Sequence, residues 1–122
     1  MEQKYIKGDI VMYDNKIHTI MDKLELNNYE LSYIEHPVHQ LELSGVLLTP
    51  EILEKNGWKD DGSDWYRLPT KRAYLYITKD ITTLGEFLVC VGLDRHNLAS
   101  INFVHQLQHL LFGLNINSEM EV

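Results

Sequence analysis

The chain has 122 residues, a length typical of one domain, and 44% of them are hydrophobic, which is enough for a packed core. Eighteen acidic against eleven basic residues give a formal net charge of −7, which argues against a general binder of long nucleic acids. The length disfavours a two-domain enzyme, and the hydrophobic content disfavours global disorder.

The first third of the sequence predicts a small antiparallel sheet. Asp14-Asn15 and Asn27-Asn28 are turn signals, and residues 29–33 alternate apolar with polar side chains. Short strands joined by tight turns favour a curled meander, and we expect a small SH3-like barrel because closure protects strand edges. The strand candidates are 9–13, 17–21 and 29–33.

The centre of the chain predicts a short helix over 50–56. Thr49 is a good N-cap, Pro50 suits the first helical position, and Gly57 is a typical C-terminal stop. Between Glu35 and Leu48 the pattern is weak.

Further antiparallel strands are predicted after this helix. The Asp-Gly pair within 60–64 indicates a hairpin, and 86–91 is apolar on both faces, as expected of a central strand. Residues 72–78 alternate sharply, which places Leu75 and Ile77 on one face and Tyr74 and Tyr76 on the other.

The C-terminal part predicts an amphipathic helix, which Asn97 or Ser100 would cap. Its opposite face is polar and is expected to meet water. The apolar stripe consists of Ile101, Val104, Leu107, Leu111 and Leu114. We therefore predict one α+β domain over residues 1–114, followed by a mobile acidic tail over 115–122.

The cysteine content and the search for targeting segments indicate the compartment. Cys90 is the single cysteine, so no intramolecular disulfide forms, and its apolar neighbours indicate a buried side chain rather than a reactive thiol. No stretch approaches the roughly 20 apolar residues of a membrane helix, and the N-terminus lacks the apolar core of a signal peptide. We expect a cytoplasmic protein without a membrane partner.

Histidine pairs are the first candidates for chemistry. His105 and His109 are four apart and would share a helix face, but the glutamate of a zincin helix is missing and nothing fixes a third ligand. His36 and His39 form a second close pair. No glycine-rich phosphate loop, calcium loop or nucleophile elbow is present. We expect no catalytic constellation, no cofactor and no metal.

Aromatic and cationic residues concentrate in the middle of the chain. Rings beside cationic groups suit a base or nucleotide, or a protein partner. Alternatively, Tyr74 and Tyr76 pack under the C-terminal helix as ordinary core. The candidate ligand-binding residues are Trp65, Arg67, Lys71, Arg72, Tyr74, Tyr76, His105 and Gln108.

Three segments carry a family resemblance. Residues 103–112, which read FVHQLQHLLF, resemble the YVHQLQNLYFAL-type ending of small phage and prophage proteins of Bacteroides and its relatives. The glycine-marked opening over 6–11 and the central LTPEILEKNGW segment over 48–58 resemble the same family in the same order. Position 109 is His instead of Asn, and position 113 is Gly instead of Ala. The resemblance implies a phage or mobile-element setting and carries over no catalytic residue.

These observations favour a non-catalytic binding protein in the cytoplasm of a bacterial host. Within that class we expect a counter-defence protein that sequesters a small nucleotide-derived immune signal. The alternative is an interaction or virion-accessory protein that acts on a host protein through the C-terminal helix and exposed tyrosines. A metal-dependent hydrolase using His105 and His109 is a third class, and self-association is left open.

Overall fold

A computed structural model describes residues 2–79, 86–92 and 94–122. In these residues two five-stranded antiparallel sheets and two α-helices form, which confirms the predicted α+β class. The first sheet contains β1 (Ile10–Tyr13), β2 (Lys16–Lys23), β3 (Asn28–Leu31), β4 (Val38–His39) and β5 (Ser44–Gly45). The second contains β6 (Lys59–Asp60), β7 (Trp65–Pro69), β8 (Tyr74–Thr78), β9 (Phe87–Val91) and β10 (His96–Ile101). The helices are α1 (Pro50–Lys55) and α2 (Val104–Gly113).

The first sheet has the strand order β4-β3-β2-β1-β5, so the fifth strand returns to lie beside the first. A 3-10 turn over Gln40–Glu42 joins β4 to β5. This order and this turn are those of the predicted SH3-like barrel. Asp14 and Asn15 both adopt left-handed backbone angles, as a two-residue hairpin between right-twisted strands requires. The barrel core consists of Tyr5, Val11, Ile20, Tyr29, Leu31, Val38 and Leu43.

The predicted central helix forms at Pro50–Lys55 with Thr49 as its N-cap, whose hydroxyl accepts a hydrogen bond from the Ile52 N–H at 3.2 Å. The second sheet then follows as a simple meander in the order β10-β9-β8-β7-β6. The hairpin at 60–64 and the interior position of β9 are as predicted. Leu75 and Ile77 of β8 lie in the main core, on the face opposite Tyr74 and Tyr76. The main core consists of Ile10, Val46, Leu48, Leu53, Trp58, Tyr66, Leu75, Ile77, Phe87, Val89, Ile101, Val104, Leu107 and Leu111.

The start of the last helix was predicted wrongly. Residues 96–101 form β10, an edge strand with mostly exposed side chains, and α2 begins only at Val104. Neither Asn97 nor Ser100 caps the helix. Instead the Gln106 side-chain oxygen accepts hydrogen bonds from the N–H groups of Asn102 and Phe103, at 2.7 and 3.0 Å. A glutamine reaching back satisfies the orphan donors that a cap residue would otherwise serve.

The polar face of α2 is only partly open to water, contrary to the prediction: Gln106 and His109 are half-buried. His105 is 4% exposed and Gln108 is 2% exposed, because α2 lies between the second sheet and the barrel. The Gln108 side-chain amide pairs there with backbone groups of the barrel, as a neighbouring strand would. Its oxygen accepts from the Ile10 N–H at 2.9 Å, and its nitrogen donates to the Gly8 carbonyl at 2.9 Å. Neither helix in the described part of the chain is long and apolar enough to cross a membrane.

The acidic tail over 115–122 is also not a free extension. Asn56 accepts from the Glu121 N–H at 2.8 Å and donates its side-chain amide to the Glu121 carbonyl at 2.7 Å. The Gln108 amide donates to the Ser118 carbonyl at 3.2 Å. Ile116, Met120 and Val122 pack against the main core. These contacts place the tail beside Asn56, at the end of α1, and beside Gln108 of α2.

Candidate ligand-binding surface

The outer face of the second sheet carries a continuous layer of rings and guanidinium groups. We call it the aromatic–arginine face, and it consists of Trp65, Arg67, Tyr74, Tyr76 and Arg95. Strand register places four of these residues on one side, because Arg67 lies opposite Tyr76 and Pro69 opposite Tyr74 in the β7–β8 pair. Sequence alternation predicted the shared face of Tyr74 and Tyr76, and the clustering of aromatic and cationic residues singled out Trp65 and Arg67.

The layer has a regular geometry. The Tyr76 ring lies 6.3 Å from the Trp65 ring in an edge contact and 6.4 Å from the Tyr74 ring in a tilted one. The Arg67 guanidinium lies 4.9 Å from the centre of Tyr74. The Arg95 guanidinium lies 4.3 Å from the centre of Tyr76 and 5.5 Å from that of Trp65. Each guanidinium is thus held on an aromatic ring by cation–π contact.

Sequence reasoning missed Arg95, which the turn between β9 and β10 supplies. Gly92 and Arg95 have left-handed backbone angles (φ 74° and 49°), and the Arg95 N–H donates to the Gly92 carbonyl at 3.1 Å. This tight turn folds the Arg95 side chain back over the sheet. The signal available in the sequence was the Gly-Leu-Asp-Arg turn itself, but its direction depends on long-range strand pairing.

A cleft of about 460 Å³ opens at the turn between β7 and β8, beside Tyr74. The Thr70 N–H donates to the Ala73 carbonyl at 3.1 Å, and the Ala73 N–H returns a bond to the Thr70 hydroxyl at 3.1 Å, so the turn is rigidly closed. The lining residues are Pro69, Thr70, Lys71, Arg72, Ala73, Tyr74 and Gly92. The predicted cations Lys71 and Arg72 therefore meet the predicted ring Tyr74 at one opening.

The exposure of the two tyrosines answers the question that the sequence left open. Tyr74 is 43% exposed, whereas Tyr76 is 5% exposed. Neither packs under α2: Tyr76 is covered by Arg95 and flanked by Trp65 on the outer face. Aromatic residues that do serve as core include Trp58, Tyr66 and Phe87 in the main core and Tyr5 and Tyr29 in the barrel.

The cations of this surface are free of carboxylate partners within the described part of the chain. There the two side-chain ion pairs join Lys79 to Asp60 and His109 to Asp9. Asp61 is a hairpin acid on which the Arg95 charge acts. Hydrogen bonds from Ser63 lower the pKa of Asp61, and the positive charges of Lys79 and Arg95 make smaller contributions. Asp60 and Asp61 thus take their hydrogen bonds from Gly62, Ser63 and Lys79 and not from an arginine.

Cys90 lies on the same face, opposite Tyr76 in the β8–β9 pair. It is buried, and burial raises the pKa of its thiol, against a smaller opposite effect of the Arg95 charge. The thiol is therefore a packing group beneath the ring layer, as the sequence predicted.

His105 and Gln108, the other two predicted site residues, lie at a different place. They face the barrel within a group that we call the helix–barrel cluster: Tyr5, Asp9, His105, Gln108 and His109. Asp9 is 2% exposed, and its Oδ2 accepts from the Ile6 N–H at 2.9 Å and contacts His109 Nε2 at 2.6 Å. Burial raises the pKa of Asp9, which the bonds from Ile6 and His109 partly oppose.

The His105 imidazole is a buried, neutral ring. It stacks on Phe103 with centroids 5.7 Å apart and meets the edge of Tyr5 at 5.0 Å. Burial, with smaller effects from the charges of His109 and Lys4, lowers the pKa of His105 to about 4. In residues 2–79, 86–92 and 94–122 no group of three His, Cys, Asp or Glu side chains is arranged to hold a metal ion. The contacts of the cluster attach α2 to the barrel.

No protein-family model, curated protein or solved structure matches the chain. The candidate surface is therefore interpreted from its own chemistry.

Proposed function

We propose that the protein binds a small, flat, anionic ligand of nucleotide type without chemically changing it. The observation that carries this proposal is the meeting of Tyr74 with Lys71 and Arg72 at one cleft, at the end of the aromatic–arginine face. A half-exposed ring supplies a stacking surface for a base, and the two cations supply charge for a phosphate.

The distribution of charge supports a small ligand over a long one. All three arginines of the sequence, Arg67, Arg72 and Arg95, border this surface, whereas the chain as a whole carries −7. A long polyanion would also meet the acidic hairpin at 60–64 and be repelled. A ligand of about the size of the 460 Å³ cleft meets only the local positive charge.

The biological role that fits such a protein is capture of a nucleotide-derived immune signal by a phage or mobile element. The resemblance of residues 103–112 to phage proteins supports this setting. Sequestration favours a preorganised site, and the two hydrogen bonds between Thr70 and Ala73 support preorganisation of the turn that lines the cleft.

A thermal-shift screen tests the proposal. Mononucleotides, linear and cyclic dinucleotides and ADP-ribose are added at concentrations well above micromolar, and a ligand that binds the folded state raises the Tm. We expect at least one shift, which Tyr74→Ala and Arg72→Gln reduce. Tyr33→Ala is the matched control, because Tyr33 is an exposed tyrosine on the barrel. Absence of a shift with all of these compounds would refute the proposal.

A further inference from the structure

The Arg95 side chain is held in a way that its role in folding does not explain. Its guanidinium lies on Tyr76 and beside Trp65, and its Nε is buried with no hydrogen-bond partner in the described part of the chain. A buried donor without an acceptor is costly. Because Nε is shielded and Arg95 as a whole is half-buried, the part of the guanidinium that a ligand can reach is its terminal N–H edge.

Arg67, like Arg95, has its guanidinium on a tyrosine ring, one ring further along the sheet. Its guanidinium lies on Tyr74, whose centre is 6.4 Å from that of Tyr76. The described structure pairs neither arginine with a carboxylate. Two guanidinium groups are thus held on neighbouring rings of one face, each oriented by stacking and free to bind an anion at its N–H edge.

We infer that Arg67 and Arg95 form two separate anion subsites, and that the ligand carries two anionic groups spaced by about one aromatic ring. This inference rests on the proposed function and narrows its ligand class. A mononucleotide offers one phosphate group and engages one subsite. A dinucleotide with an internal phosphodiester and a terminal phosphate engages both, while a base stacks on the exposed ring of Tyr74.

Arg95 is the less obvious of the two groups, because it comes from a turn and not from the strands that carry the other residues. The Gly92–Arg95 turn is closed by a backbone hydrogen bond, so the side chain starts from a fixed point. A guanidinium that is already oriented loses little conformational freedom on binding, which favours tight capture of the second anionic group.

Two linear dinucleotides that differ by one phosphate test the inference. The probes are diadenylate without a terminal phosphate (ApA) and with a 5′ phosphate (pApA), titrated by calorimetry into wild type, Arg67→Gln and Arg95→Gln. We expect wild type to prefer pApA by about tenfold, the gain from one charge-assisted contact. Each variant keeps only one subsite, so we expect it to bind ApA and pApA about equally. Lys16→Gln, which removes an exposed cation from the barrel hairpin, keeps the wild-type preference.

The outcomes separate the two proposals. If wild type binds ApA and pApA equally, or if only one variant loses the preference, two anion subsites do not exist, although the proposed function stands. If wild type binds neither, the proposed function loses its support from this ligand class, and the inference falls with it. Arg95→Lys guards against a folding defect in Arg95→Gln: it keeps the charge and is expected to restore part of the preference.

Discussion

Replacing His105 with phenylalanine should make folding stability less sensitive to pH. His105 is buried between Phe103 and Tyr5, and its Nδ1 has no hydrogen-bond partner in the described part of the chain. Phenylalanine retains a flat ring for both contacts and has no proton to gain. The variant therefore removes a titration and leaves no new buried polar group.

The size of the effect follows from the pKa of His105. Burial lowers it to about 4 in the folded protein, against an ordinary value of 6.5. Above pH 6.5 both folded and unfolded His105 are neutral and contribute no difference. As the pH falls below 6.5, only the unfolded chain gains the proton, so the free energy of unfolding declines. At 1.36 kcal/mol per pH unit the loss reaches about 3 kcal/mol near pH 4.

Urea unfolding of both proteins between pH 4 and pH 8 measures this difference. We expect similar free energies of unfolding at pH 8 and an advantage of the variant that grows to about 3 kcal/mol near pH 4. All other titrating groups are common to both chains, so the difference curve isolates His105. His96→Ala, at an exposed histidine on β10, is the control and should follow wild type. Parallel curves for wild type and His105→Phe would show that His105 is not held neutral by burial.

Two further pairs of substitutions test the packing around α2. His109→Ala removes a side-chain hydrogen-bond partner of the buried Asp9 carboxyl and should cost about 2 kcal/mol at pH 8, whereas Asp9→Asn keeps an acceptor for the Ile6 N–H and should cost about 1 kcal/mol. The pKa of Asp9 is raised, so the folded state takes up a proton on Asp9 more readily than the unfolded chain does. The cost of His109→Ala should therefore shrink as the pH falls toward 5. Urea unfolding of the two variants at pH 5 and 8 checks these costs, and an equal cost of His109→Ala at the two pH values would contradict the buried-charge explanation. Gly45→Ala would place its Cβ 2.6 Å from the Phe103 ring and should cost about 2 kcal/mol of stability. The Cβ of Gly113→Ala meets nothing within 4 Å, so this variant should stabilise α2 by about 0.5 kcal/mol. Thermal unfolding that ranks the two variants the other way would refute this explanation of the two glycines.

Local patterns were sufficient for most of the architecture. Alternation in 72–78 placed Tyr74 and Tyr76 on one face and Leu75 on the other, and Thr49-Pro50 fixed the start of α1. Both signals act over a few residues, so one sequence contains all the information they need. Asn-rich turns gave the barrel hairpins for the same reason.

The errors share a different cause, which is that partners distant in the chain decided the outcome. β10 lacks apolar alternation and exists because β9 offers it an edge. The polar face of α2 is buried because the barrel, about 100 residues earlier, supplies acceptors and donors to Gln108. Arg95 joined the candidate surface through the direction of one turn. Periodicity cannot report any of these contacts.

The position of α2 in the chain has a consequence for synthesis. This helix follows the described strands of both sheets, yet it supplies the amide that pairs with Gly8 and Ile10 and the leucines that complete the main core. Until residues 104–113 have emerged from the ribosome and folded, the barrel and the second sheet lack the wall between them. Their apolar inner surfaces stay open until α2 docks, and this exposes the nascent chain to aggregation during that interval.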